Sequence, residues 1–186
     1  MNKFLLFLIG LFCSSLLGPY FFAQAATIAS PVKIVETLEV NRYLGVWYEI
    51  SKFPNWFQKN CSGNTKAEYK LKDDGSVLVM NTCKDRTGGL ISAIGEARQV
   101  GPANSPKLKV RFAPAWLSFL PFVWGDYWII DLDDQYQVAA VSDSKREYLW
   151  ILARTPKLTE KRYRELLNRL ETQQFNVEKL ELTNQD

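Results

Sequence analysis

Thr65, Ala67 and Tyr69 alternate with Lys66, Glu68 and Lys70, and this two-residue period returns along the chain in one short run after another. Side chains on an extended strand point alternately to its two faces, so each such run puts one set indoors and the other in water. After the hairpin signal Asp73-Asp74-Gly75, Val77, Val79 and Asn81 share a face. Ala93, Gly95 and Ala97 alternate with Ile94, Glu96 and Arg98, and Leu108, Val110 and Phe112 alternate with Lys107, Lys109 and Arg111. Three more runs, Tyr127 to Leu132, Tyr136 to Ser142 and Tyr148 to Arg154, are joined by Asp133-Asp134-Gln135 and by the polar stretch Asp143 to Glu147. With a strand beginning at Gly45 the count is eight, in sequential order. The fold class is therefore all-β, an eight-stranded antiparallel up-and-down barrel.

A barrel of this size is just wide enough to be filled by its own side chains or to hold one small ligand. Its inward set mixes small residues (Ala67, Ala93, Gly95, Ala97) with aromatic ones (Tyr69, Phe112, Tyr127, Trp150). Small inward residues point to a ligand, although Ala and Gly also serve tight barrel bends. Past Pro156 the period changes. Tyr163, Leu166, Leu167 and Leu170 form one stripe of an amphipathic C-terminal helix, with Thr159 placed as its N-cap. A last extended run, Asn176 to Leu182, is positioned to close back on the first strand.

Residues 1–25 differ from the rest: Lys3 is the only charge, Phe4 to Leu17 is almost wholly apolar, and Ala23-Gln24-Ala25 offers small residues for cleavage. This reads as a secretory signal peptide, followed by a lead-in at 26–35 and the barrel domain at 36–186. Cys13 follows Phe12 rather than a small residue, so lipid attachment there is disfavoured and a soluble exported protein is expected, in the periplasm or at the outer-membrane periphery of a bacterium. Cys61 and Cys83 remain. They flank the Asp73-Asp74-Gly75 hairpin with unequal arms that a bulge or the loop at Asn60 to Gly63 would absorb, and an oxidising compartment favours their disulfide.

The chain has no histidine, which removes the usual general base and most zinc sites. Asp73-Asp74 and Asp133-Asp134 lie in turns that Asp itself stabilises, and Gly88-Gly89 lacks the strand-loop-helix setting of a phosphate loop. A net charge of +3, without long basic blocks, gives no footprint for nucleic acid. Neither catalysis, a cofactor nor a metal is expected.

In an up-and-down meander the start of the first strand, the turn holding Asp133 and Tyr136, and the end of the eighth strand at Arg154 share one end of the barrel. There Trp47 plugs the floor, Arg154 lies across its indole, and Gly45 permits the close approach. Gly45 to Glu49 (GVWYE), Leu132 to Tyr136 (LDDQY) and Arg154 within LWILARTP resemble the three sequence signatures of the lipocalin family. The likeness is to its bacterial and apolipoprotein-D-like branch and covers about residues 36 to 182. It implies a calyx closed at the Trp47 end and open at the other, binding a small hydrophobic molecule such as a fatty acid or lysophospholipid.

Strand parity places Glu49, Ala67, Tyr69, Val79, Ala97, Val110, Phe112, Tyr127, Ile129 and Trp150 around that pocket. Glu49 has two readings, as receiver of a ligand's polar head or as partner of a neighbour such as Arg154. The segment Ala113 to Gly125 links the fifth and sixth strands at the open mouth. It folds inward as a lid, or Trp116, Leu117, Phe119, Phe122 and Trp124 dip into a membrane surface. Against the carrier stand a lipid- or carotenoid-modifying enzyme on the same barrel and a purely structural envelope protein.

Overall fold

The computed structural model describes residues 30–186; the expected leader at 1–25 and Cys13 lie outside the described residues. A short helix α1 (Val40–Tyr43) precedes β1 (Gly45–Lys52), then come β2 (Gly63–Leu71), β3 (Val77–Lys84), β4 (Leu90–Gln99) and β5 (Lys107–Arg111). β6 (Gly125–Leu132), β7 (Val138–Ser142) and β8 (Leu149–Ala153) follow, and α2 (Glu160–Thr172) and β9 (Glu181–Leu182) end the chain. Each of β2 to β8 pairs antiparallel with its sequence neighbour, β8 pairs with β1, and β1 returns to β2, so the expected barrel closes.

The closure is split along β1. Gly45 to Tyr48 pair with Tyr69 to Lys66, whereas Ser51 and Lys52 pair with Leu182 and Glu181 of β9. Toward the open end the C-terminal tail thus occupies the seam between β1 and β2, and the Asn64 amide donates to the Asn184 carbonyl at 2.6 Å. The closing strand is shorter than the extended run expected over Asn176 to Leu182. Asn176 accepts the Glu178 amide through its side chain and turns Val177–Lys179 into a 3₁₀ turn first.

Two cores result. Trp47, Ala67, Tyr69, Val79, Ala97, Ile129, Val141 and Leu152 face the barrel interior. Ile50, Ile130, Val138, Ala140, Ile151, Leu166 and Leu170 fill the space between the wall and α2. This explains why β7, Val-Ala-Ala-Val-Ser, does not alternate in polarity: one face meets the interior, the other lies under a helix, and all five residues are buried. Thr159 caps α2 as its sequence position predicts, accepting the Arg162 amide through its side chain. Bulges between Glu49 and Ser51 and between Ile129 and Asp131 reverse the parity of both strands, so Ser51 faces Tyr163 on the helix side and Asp131 faces Arg169.

The turn before β7 is longer than expected, because Tyr136 belongs to it rather than to the strand. Its φ of 56° is left-handed, and the Asp133 carboxylate ties the turn by accepting the amides of Gln137 and Val138. Cys61 and Cys83 are joined, with Cα atoms 5.6 Å apart, and the register shift between Gly63 and Lys66 takes up the unequal arms.

Candidate functional site

The floor is built around Trp47, which is fully buried. Its Nε1 donates to the Tyr43 carbonyl at 2.8 Å, and the Tyr43 ring stacks on it at 4.7 Å between centroids. Arg154 covers the indole from outside, its guanidinium carbon 4.0 Å from the ring centroid. The same guanidinium donates to the carbonyls of Val46, Arg42 and Tyr136, so one side chain fastens the start of β1, α1 and the turn before β7. Gly45 has φ +91°, and a Cβ there would stand 3.4 Å from Arg154 Nη1. Both the left-handed backbone and the close guanidinium call for glycine. Tyr136 completes the floor: its hydroxyl accepts the Glu39 amide, and Arg42 lies 4.0 Å above its ring. The far end of Asp133 meets Arg162 of α2 at 3.2 Å.

Above the floor lies an apolar pocket lined by Leu38, Val40, Tyr43, Leu44, Tyr69, Val77, Val79, Ala97, Leu108, Val110 and Tyr127. Of the ten expected lining residues, Tyr69, Val79, Ala97, Val110 and Tyr127 are in this set. Ala67 and Ile129 face the same interior. Val77 and Leu108 share the faces of Val79 and Val110, so parity alone would have found them. Leu38, Val40 and Tyr43 precede the first strand, where a period-2 argument has nothing to act on. The only polar atoms these lining side chains contribute are three phenol oxygens. Tyr127 OH is 2.8 Å from Tyr69 OH and 3.0 Å from Tyr43 OH. Burial pushes the Tyr69 phenol up to about 12 and holds those of Tyr43 and Tyr127 well above the usual range, so all three stay protonated.

Phe112 lies higher, against Gly95, where a Cβ would come within 2.7 Å of its ring. It is half-exposed at the mouth, and Ala93 beside it is exposed too. Trp150 stacks on Tyr148 at 5.7 Å and donates its Nε1 to Gln58 Oε1 at 3.1 Å. Asn81 shares the inward face with Val79, and its buried Oδ1 has no partner.

Glu49 is the clearest case of a residue whose neighbours the sequence did not disclose. It is buried at 3% exposure, but it does not pair with Arg154. Its two carboxylate oxygens accept the Thr183 hydroxyl at 2.6 Å and the Gln58 amide at 2.7 Å, while Gln185 spans from the Glu49 carbonyl to that of Thr65. Burial raises its pKa, opposed by those two donors and by Lys52. Both oxygens are occupied by the chain itself, at the seam the C-terminal tail fills.

At the mouth, Trp116, Phe119 and Phe122 are 71%, 74% and 80% exposed, so the segment between β5 and β6 does not fold inward as a lid. Two of its residues leave that rim. Trp124 turns back to the wall, donating to the Ser118 carbonyl and facing Arg98 and Arg111, and Leu117 is half-buried. Sequence reading missed Trp56 and Phe57, exposed on the loop after β1, and Leu90, exposed at the start of β4 beside the mouth. The same parity of connections applied to the Phe53 to Lys59 loop would have placed it there. Among the described residues no group of His, Cys, Asp or Glu is placed to hold a metal ion, and no helix is long and apolar enough to cross a membrane.

The model of the family described as "Lipocalin-like domain" matches residues 38–185. The chain is 38% identical over 157 residues to temperature-induced lipocalin-1 of Arabidopsis thaliana, covering 83% of each. It is 36% identical over 149 residues to the outer membrane lipoprotein Blc of Escherichia coli (strain K12), covering 80% of each. With apolipoprotein D of Macaca fascicularis it shares 32% over 160 residues, 82% of this chain and 80% of that one. The solved structure of insecticyanin from Manduca sexta superposes with a TM-score of 0.63 at 20% identity, over 84% of this chain and 85% of that one, a likeness of fold. With the closed eight-stranded barrel, the arginine-covered tryptophan at its floor and these matches in register, the chain belongs to the lipocalin family.

Proposed function

We propose that this protein is an exported carrier that binds and stores or transports a single-chain lipid, such as a fatty acid or lysophospholipid, in the barrel interior. The observation that carries the reading is the lining of the pocket: aliphatic and aromatic side chains, no carboxylate or ammonium, and only phenol oxygens as polar groups. Such a lining favours apolar burial at about 0.8 kcal/mol per methylene. A chain of roughly ten carbons then reaches about 8 kcal/mol, the scale of micromolar binding before ordering costs. Membership of the lipocalin family, with these relatives, supports a small hydrophobic ligand. The apolar stretch at 4–17 and the Cys61–Cys83 pair support export to an oxidising compartment, and Phe12 before Cys13 speaks against a lipid anchor. Native mass spectrometry of protein purified without detergent is expected to show a co-purifying lipid. Release of that lipid chemically altered would favour the enzyme reading, and protein that never takes up a single-chain lipid would end the carrier reading.

A second reading concerns how the ligand arrives. Trp56 from the loop after β1, Leu90 at the start of β4, and Trp116, Phe119 and Phe122 from the segment between β5 and β6 are all exposed at the open end, an arrangement suited to resting the mouth on a bilayer so that lipid passes without crossing water. The double variant Phe119→Ser, Phe122→Ser is expected to lose co-sedimentation with phospholipid vesicles at least several-fold while keeping its melting temperature. Equal sedimentation of both proteins would remove the membrane contact.

A further inference from the structure

Tyr43, Tyr69 and Tyr127 bring three hydroxyl protons to one point at the base of the pocket, and two hydrogen bonds join them. Each bond uses one proton, so one remains. No other acceptor among the described residues reaches these oxygens, and the rest of the lining is aliphatic. A buried donor left over in an apolar pocket is costly, and it selects a guest that brings an acceptor. The surroundings agree in sign. Arg154 lies against the far face of Trp47, and no carboxylate lines the pocket. Higher up, Glu49 and Gln58 have already spent their groups on Thr183, Asn55, Trp150 and each other, so a polar head at the mouth would have to break existing bonds.

We propose that the three tyrosines are a head-group anchor: a single-chain lipid enters polar end first, its carbonyl or carboxyl oxygen accepts the unspent proton of the Tyr43–Tyr127–Tyr69 cluster, and its tail runs up past Phe112 to the mouth. This rests on the carrier reading and adds to it the orientation of the ligand and the chemistry of its head. Tyr127 is the hub, since both hydrogen bonds run through its oxygen. The phenols stay protonated at working pH, and an apolar lining with one donor to spare favours a neutral acceptor, a ketone, ester or protonated carboxyl, over an ionised carboxylate.

The test measures binding of decanoic acid, 2-decanone and decane to wild type, to Tyr127→Phe, and to the triple variant Tyr43→Phe, Tyr69→Phe, Tyr127→Phe. The triple change removes donors and acceptors together and keeps every ring, which guards against misfolding of the single variant by stranded hydroxyls. The triple variant is expected to bind the acid and the ketone about tenfold more weakly than wild type does, with decane affinity unchanged, whereas Tyr127→Phe, which leaves the Tyr43 and Tyr69 protons unspent, is expected to keep the preference for acid and ketone over decane. In the triple variant, equal weakening for all three probes, or no change for any, overturns the anchor and leaves the carrier reading standing. Loss of the acid and ketone preference in Asn81→Val, with the triple variant unaffected, would place the head half-way up the wall and overturn it too. Wild type binding none of the three would overturn both.

Discussion

Replacing Trp47 by alanine is expected to remove about 3 to 5 kcal/mol of stability, the usual cost of an aromatic ring lost from a packed core. For a domain of this size that is a fall in Tm on the order of 10 °C. The residue is fully buried, so nothing from solvent refills the site, and its loss also deprives Arg154 of the face it covers and Tyr43 of its stacking partner. Arg154→Ala is expected to cost less. Its cation–π part is about 1 to 2 kcal/mol, to which is added the loss of donors to the Val46, Arg42 and Tyr136 carbonyls, which water partly replaces because the guanidinium is only partly buried. Arg154→Lys keeps the charge but not the planar fork and should fall between. Urea and thermal unfolding check the order. Because Arg154 lies outside the pocket lining, Arg154→Ala should not change which lipid co-purifies. An Arg154→Ala protein that melted like wild type yet carried a different lipid would mean the wrong end of the barrel has been taken as closed.

Opening the Cys61–Cys83 bridge is expected to cost roughly 3 kcal/mol, the chain-entropy value for a loop of this length. The bridge encloses 22 residues of sequence separation and ties the loop after β1 to the end of β3, beside the seam where the tail lies between β1 and β2. Its loss should therefore loosen the mouth before the floor. In hydrogen exchange, amides of the upper β2–β3 ladder would lose protection first, while those around Trp47 hold theirs. The double variant Cys61→Ser, Cys83→Ser, compared with wild type with and without reductant, separates the bridge from the packing of the buried Cys83. An unfolding midpoint indifferent to reductant, or two titratable thiols in protein recovered from an oxidising compartment, would contradict the bridge as a structural element.

Much of the fold was readable because the information is local. Alternation in Thr65 to Lys70 or Lys107 to Arg111 assigns each side chain a face, Asp73-Asp74-Gly75 sets a turn, and the stripe from Tyr163 to Leu170 sets a helix, all within a few residues. Sequential pairing of such strands leaves few topologies, and the parity of connections then fixed which end holds Gly45, Trp47, Asp133 and Arg154. Parity failed where a bulge intervened, at Ile50 and Ile130, since one extra residue turns every later side chain to the other face. It also said nothing of Tyr136, whose place in the turn depends on Asp133 accepting two amides beyond it.

What the sequence determined by itself was which face each residue of a regular strand takes, the order of the strands and the chemistry excluded by the absence of histidine. Only the tertiary structure decided who meets whom across the barrel. The oxygens of Tyr43 and Tyr127 are 84 positions apart in sequence, those of Tyr69 and Tyr127 are 58 apart, and Glu49 and Thr183 are 134 apart. Period-2 patterning gives a side chain its face and no more. Its neighbours inside a closed barrel depend on strand tilt, on the stagger of the hydrogen-bond register and on where the ends of the chain are laid, quantities set by closing the whole sheet at once.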